Sequence, residues 1–302
     1  MPDAHGTPGN AGARDRLRAV LDGATGIVSA GVTFVPDEAI ASLLWGGGAG
    51  ESTLLARAMC GDVAPDFVFV VAWAPGAQIT ARELAACGIA PFIVVRGPVT
   101  TIAEEDGWAP TLRATLTGGA RFDSRLDAAV DAAIAQTRTA AQWGAFAVVV
   151  AEDVASASGP LVEPGYVPRT VMPRIGRIAS AAHAEGLAAI WHSDGDVTSY
   201  LSAAAGAGFD GVHPAGIDAS AFAAVRARAH MHRLTVLGGI PGSAVRAGGP
   251  EAVRAGVAAG IEAAGGRLLV SDDGGVSTAR ELAALISALG AALGLRKASR
   301  GS

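Results

Sequence analysis

Eight short runs of apolar, mostly β-branched residues punctuate this chain, and alanine-rich stretches of helical character separate them. The runs are Val32–Val35, Phe67–Trp73, Pro91–Val95, Phe146–Ala151, Leu187–His192, Phe209–His213, Leu234–Gly238 and Arg267–Ser271. Most are apolar at nearly every position. A strand covered on one face alternates apolar with polar, whereas a strand covered on both faces does not, as in a parallel sheet wrapped in helices. The helical stretches are Thr80–Cys87, Ser124–Gln142, Pro168–Ala184, Val197–Ala205, Ala219–Ala229, Pro250–Ala264 and Thr278–Leu293. Several open near a capping residue or a first-turn proline. This rhythm predicts an α/β fold, a (β/α)8 TIM barrel, in one domain over 14–295. An open doubly wound sheet is the competing arrangement and usually needs fewer strands. The stretch Gly97–Phe122 shows no clean element and is expected to be a long loop over the barrel mouth.

The 302 residues are half hydrophobic, enough for a large core, and carry a formal net charge of −5. No global field favours nucleic acid. No apolar stretch is long enough to span a bilayer, and the N-terminus lacks the basic-then-apolar order of a signal peptide. Cys60 and Cys87 lack metal-ligand spacing and suggest no disulfide framework, so a cytoplasmic protein is expected. Residues 1–13 and 296–302 read as disordered tails.

Two glycine-rich stretches imitate nucleotide sites. GGGAGESTLL (Gly46–Leu55) approaches a phosphate-binding loop, but Glu51 stands where the lysine belongs and Trp45 where the first glycine belongs. A carboxylate there repels the phosphates it should neutralise, so a turn before a helix at Ser52–Met59 is expected, with no nucleotide bound. GAGFDG (Gly206–Gly211) matches a dinucleotide fingerprint but follows a helix and precedes a strand, the reverse of the required order. Its glycines are expected to end a helix.

Chemistry in a barrel sits at the C-terminal ends of its strands. Those ends supply Arg96, Glu152, Asp153, His192, Asp194, Asp196, His213, Ser271, Asp272 and Asp273, and LGGIP places Gly239 there. His192 and Asp194 are two apart and point the same way. Such a pair ligates a metal, or its carboxylate orients the imidazole as a base. Glu152 and Asp153 are adjacent, so only one can face inward. His213, followed by proline, either bonds to backbone or touches ligand. His183, His230 and His232 read as surface or packing residues.

Four segments carry a family resemblance: EDVASASGPLVEP (Glu152–Pro164), IWHSDGDVTSYLSAAAGAGFDGVHP (Ile190–Pro214), VLGGIP (Val236–Pro241) and GGRLLVSDDGGVS (Gly265–Ser277). They resemble the uroporphyrinogen decarboxylase superfamily, most strongly over 145–295. The superfamily holds the decarboxylases and the corrinoid-dependent methyltransferases, and the resemblance implies a (β/α)8 barrel. The decarboxylases' R-Q-A-G-R-Y stretch and S-D-I aspartate are absent; VFVVAWAPG occupies that neighbourhood without an acid. An octacarboxylate also wants several arginines at the mouth, where only Arg96 is well placed. The methyltransferases' H-x-C plus later Cys zinc site maps onto His192, Asp194 and Asp273. Carboxylates replacing thiolates suit a harder divalent metal or none. The expectation is therefore a corrinoid-linked methyltransferase. His192, Asp194, Asp273 and Glu152 would be its catalytic groups, and the first three its metal candidates. Arg96, Asp153, His213 and Gly239 would bind substrate. Methylcobamide would be a co-substrate, a small molecule the acceptor and a corrinoid protein a partner. Without metal, Asp194 would fix the imidazole tautomer of His192. A tetrapyrrole decarboxylase and a non-catalytic corrinoid or tetrapyrrole binder are the alternatives.

Overall fold

The structure, a computed structural model, describes residues 12–34, 64–156, 158–247, 249–263, 266–274 and 276–293. Eight parallel strands close into a barrel: β1 (Ser29–Val32), β2 (Phe67–Val71), β3 (Ala90–Arg96), β4 (Ala147–Ala151), β7 (Ala188–Asp194), β8 (Gly211–Ala215), β9 (Thr235–Ile240) and β10 (Leu268–Asp272). β1 lies between β10 and β2, which closes the ring. A two-stranded ribbon, β5 (Ala155–Ser156) with β6 (Gly159–Pro160), decorates the loop after β4. The helices are α1 (Ala13–Leu21), α2 (Ala77–Ala86), α3 (Pro98–Asp106), α4 (Trp108–Thr117), α5 (Ala120–Gln142), α6 (Met172–Ala184), α7 (Leu201–Gly206), α8 (Ala219–Met231), α9 (Gly242–Ala247), α10 (Gly249–Ala263) and α11 (Ala279–Leu293).

Two apolar layers explain why the strands do not alternate. Phe67, Phe69, Phe92, Val94, Val149, Ile190, Leu237 and Leu269 fill the barrel interior, and Leu17, Val20 and Leu21 of α1 join them. Their sequence neighbours Val68, Val70, Ile93, Val95, Val148, Val150, Trp191 and Val270 pack outward with the helices. Both sets are apolar because both faces are dry. The rings of Phe67 and Phe92 stack at 4.6 Å, and those of Phe92 and Phe146 at 5.6 Å.

Close packing leaves Gly211 no room for a side chain. A Cβ there would lie 2.6 Å from the Thr235 carbonyl oxygen of the adjacent strand. Backbone in a ladder cannot step aside, so Gly211→Ala is expected to cost ~2–4 kcal/mol. A thermal melt showing no loss against the wild-type protein would contradict that.

Three expectations need correction. Gly97–Phe122 is not a loop: it forms α3, α4 and the first turn of α5. Pro98 suits a first helical turn, and Gly107, at φ +93°, ends α3 and starts α4. The threonine-rich α3 has weak helix propensity, so its support comes from packing of Val99, Ile102 and Ala103. The first strand is Ser29–Val32, three residues earlier than read. Thr33 instead gives its N–H and hydroxyl to the Asp272 carboxylate at 2.9 and 2.8 Å. Cys87 is disulfide-bonded, against the expectation of no disulfide. Cys60, the Gly46–Leu55 stretch, the Ser52–Met59 helix, and 1–11 and 296–302 of the expected tails lie outside the described residues; Ala13 already belongs to α1. GAGFDG ends α7 as expected: Gly208 sits at φ +90°, and Phe209 N–H returns to the Ala204 carbonyl. Among the described residues no helix is long and apolar enough to cross a membrane.

Candidate functional site

The C-terminal ends of β4, β7 and β8 bring the polar side chains together. Inward positions on β4 run through Ala147, Val149 and Ala151, and continuing that parity brings Asp153, not Glu152, to the mouth. His192 and Asp194 project from β7 on the matching parity. His192 is almost fully buried. Its Nε2 lies 4.0 Å from Asp153 Oδ1 and 3.8 Å from Asp194 Oδ1. Those separations exceed a hydrogen bond. Among the described residues, Asp153, His192 and Asp194 each bring one ligand atom within 4.8 Å of the others. Asp153 Oδ1 also accepts the Asp194 N–H at 2.9 Å, and Asp153 N–H donates to Thr100 Oγ1 at 2.9 Å. The Asp153 carboxylate is thereby tied to the Asp194 backbone, while the Asp194 carboxylate stays exposed at the mouth.

Behind His192 lies His213, fully buried. The two Nδ1 atoms are 2.9 Å apart, and His192 Nδ1 is also 3.1 Å from the His213 carbonyl oxygen. His213 Nε2 is 3.3 Å from the Asp272 carbonyl oxygen. Phe34 covers His192 at 4.8 Å between ring centroids, and Phe69 meets His213 edge-on at 5.3 Å. This apolar cage shapes the electrostatics. Burial, aided by His192, pushes the His213 pKa down to about 3, so it is neutral. Burial raises the Asp194 pKa, opposed by His192 and reinforced by Asp153.

The remaining candidates sit elsewhere. Glu152 faces outward, fully buried, and accepts the N–H groups of Val99 at 2.9 Å and Thr100 at 3.2 Å. It caps α3. Burial drives its pKa from 4.5 up to about 8 despite those two bonds. Asp273 does not join His192 and Asp194 in a ligand cluster. Backbone N–H groups of Gly242 and Gly216 engage it, and it lines a mainly apolar pocket of about 210 Å³ with Gly239, Ile217 and Phe222. Asp272 is buried and binds Thr33 and Gly274, bracing β10 to the segment after β1. Arg96 lies over the Trp73 ring at 3.8 Å and pairs with Glu104. Asp196 accepts the Thr198 N–H at 2.9 Å. His183 bonds Asp210 at the surface.

A family model described as Uroporphyrinogen decarboxylase (URO-D) matches residues 77–271. The chain belongs to that family. The match starts at α2 and ends in β10, so the likeness reaches well before residue 145. Among solved structures, the chain is similar to a methyltransferase from Methanosarcina mazei, with TM-score 0.64 and 16% identity over 93% of this chain and 98% of that one. It is also similar to a Cellulomonas fimi endo-β-1,4-mannanase double mutant, with TM-score 0.54 and 15% identity over 93% and 75% of the respective chains. A D-psicose 3-epimerase with D-tagatose from Clostridium cellulolyticum H10 has TM-score 0.52 and 12% identity over 89% and 99%. At such identities these likenesses establish the barrel alone. A search of curated protein sequences returns no match.

Family membership implies a metal through its thiol methyltransferases, and the donor set tests the fit. Among the described residues one imidazole nitrogen and two carboxylate oxygens converge here, with no sulfur. That set does not reproduce a thiolate zinc site but suits a harder divalent cation that keeps open positions.

Proposed function

We propose that this URO-D family chain is an enzyme of the methyltransferase type, and that Asp153, His192 and Asp194 activate its small-molecule acceptor. The observation that carries the reading is the convergence of three ligand atoms at the barrel mouth, above an aromatic floor. Asp153, His192 and Asp194 would hold a divalent cation, which would supply Lewis acidity to an acceptor group. Nitrogen and oxygen donors favour an oxygen or nitrogen nucleophile over a thiol. Phe34 excludes water from one side of His192. Arg96, held over Trp73 at the rim, offers its guanidinium to an anionic group on the acceptor. Methylcobamide would be the methyl donor in this reading, supplying a methyl group at the cation level to the acceptor oxygen or nitrogen, whose proton would pass to solvent or to one of the neighbouring carboxylates. A corrinoid protein is the partner that would deliver it.

The decarboxylase alternative fits less well. Asp153 and Asp194 place two carboxylates where a polyanionic porphyrinogen would enter, and Arg96 offers one cation against its many carboxylates. Full-length protein stripped of metal should regain methylcobalamin demethylation when Mn²⁺ or Co²⁺ is returned with a panel of hydroxyl and amine acceptors. Porphyrinogen turnover indifferent to chelator would establish the decarboxylase instead. Saturable corrinoid binding with no turnover on any acceptor would leave a binder.

A further inference from the structure

The hydrogen bonds around the two buried imidazoles have a direction, and backbone oxygens set it. A carbonyl oxygen only accepts. The Asp272 carbonyl lies 3.3 Å from His213 Nε2, so that nitrogen carries the proton. Neutral His213 therefore has a bare Nδ1, an acceptor. His192 Nδ1 faces this acceptor at 2.9 Å and the His213 carbonyl at 3.1 Å, so it must be the donor. Both ends of the chain of bonds demand the same orientation. Neutral His192 then has its lone pair on Nε2, the atom that faces Asp153 and Asp194.

We infer that His213 is a positioning residue: it holds His192 in the tautomer whose Nε2 lone pair faces the two carboxylates, so the three residues form a cation receptor. The inference rests on the reading of Asp153, His192 and Asp194 as the reactive centre. Left to themselves, two carboxylates opposite an imidazole nitrogen would favour a proton on that nitrogen. In the neutral ring the bonds on the other side oppose this, because they take its single proton to Nδ1. In that neutral form three lone-pair-bearing atoms lie within 4.8 Å of one another, an arrangement that a metal cation relieves, as does a second proton on His192. Outer partners that fix a ligand imidazole in this way commonly govern metal affinity. Asp272 contributes twice: its carbonyl accepts the hydrogen bond from His213 Nε2–H, while its carboxylate is anchored by Thr33 and Gly274. The carbonyl is therefore held at a fixed height in the barrel.

Nitrogen-15 NMR of imidazole-labelled, metal-free full-length protein reads the tautomers directly, with His192→Gln and His213→Gln spectra assigning the signals. Neutral His192 is expected to be protonated on Nδ1 and His213 on Nε2. Neutral His192 protonated on Nε2, or a fast average of both tautomers, would overturn the inference. Mn²⁺ titration supplies a second reading. His213→Leu should weaken binding about tenfold, the lower end for a lost outer partner. His213→Asn places an amide oxygen near the Nδ1 position and should restore most of the affinity. Equal losses in the two variants would mean that His213 only fills space. If wild-type protein binds no cation, the tautomer spectrum still decides the inference, and the failure belongs to the proposed reactive centre.

Discussion

His192→Ala is expected to erase the stabilisation that a divalent cation gives the wild-type protein. A ligand that binds only the native state at a hundred times its Kd adds ~2.7 kcal/mol, and a chain of this size then melts roughly 4 °C higher. Asp153→Asn and Asp194→Asn should each remove most of that rise, because a three-ligand site loses a third of its donors. Asp273→Asn should leave it intact, since Gly242 and Gly216 already engage that carboxylate away from the cluster. The pattern separates two ligand sets that share His192 and Asp194. Loss on Asp273→Asn with retention on Asp153→Asn would restore the set implied by the family resemblance. Turnover should follow cation binding and fall about a thousandfold or more in His192→Ala, the scale of losing a central catalytic group. Melts without metal provide the control: alanine at 192 leaves a small cavity and strands His213 Nδ1, so the baseline itself drops by ~1–3 kcal/mol.

The barrel is legible in the sequence because its signal is local. Each strand is a short run with two dry faces, and each run except the first lies within a few residues of its observed strand. The first run drifts because Val32–Val35 looks like strand by composition, while the residue that ends β1 there is Asp272, far along the chain. The same kind of long-range partner hides α3. Its cap is Glu152, supplied from just beyond β4, and within Gly97–Phe122 Pro98 alone hints at where the helix starts. At the site, strand-end position and period-two parity suffice for His192 and Asp194. Parity along AVVVAED also selects Asp153 over Glu152, a signal present in the sequence and carried one step too short. Asp273 is different. Its environment depends on how Gly216 and the start of α9 fold back toward it, and no spacing rule encodes that. Phe34 belongs to the site because its ring lies against His192, a partner far along the chain that local sequence does not reveal.

Glu152→Ala is expected to cost ~3–5 kcal/mol of stability. It strands the Val99 and Thr100 N–H groups at the start of α3 and empties a buried space between that helix and the barrel. Glu152→Gln is the more informative change, because it keeps the volume and one acceptor. Burial raises the Glu152 pKa from 4.5 to about 8, so the folded protein holds this proton over a range in which the unfolded chain has lost it. The contribution is complete below pH 4.5 and disappears as pH rises through about 8. At ~1.4 kcal/mol per unit the shift is worth about 5 kcal/mol. Glutamine does not titrate. The stability advantage of wild type over Glu152→Gln should therefore shrink steadily from pH 5 to pH 9 in chelator-treated protein, measured by urea unfolding at each pH. Chelation matters because Asp153 is adjacent, and a bound cation would add its own pH dependence. A gap that stays flat or widens with pH would mean that the two helix N–H groups and the positive end of α3 outweigh burial and keep the carboxylate ionised. Glu152 would then be a buried anion held by a helix terminus, one residue from the carboxylate that faces His192.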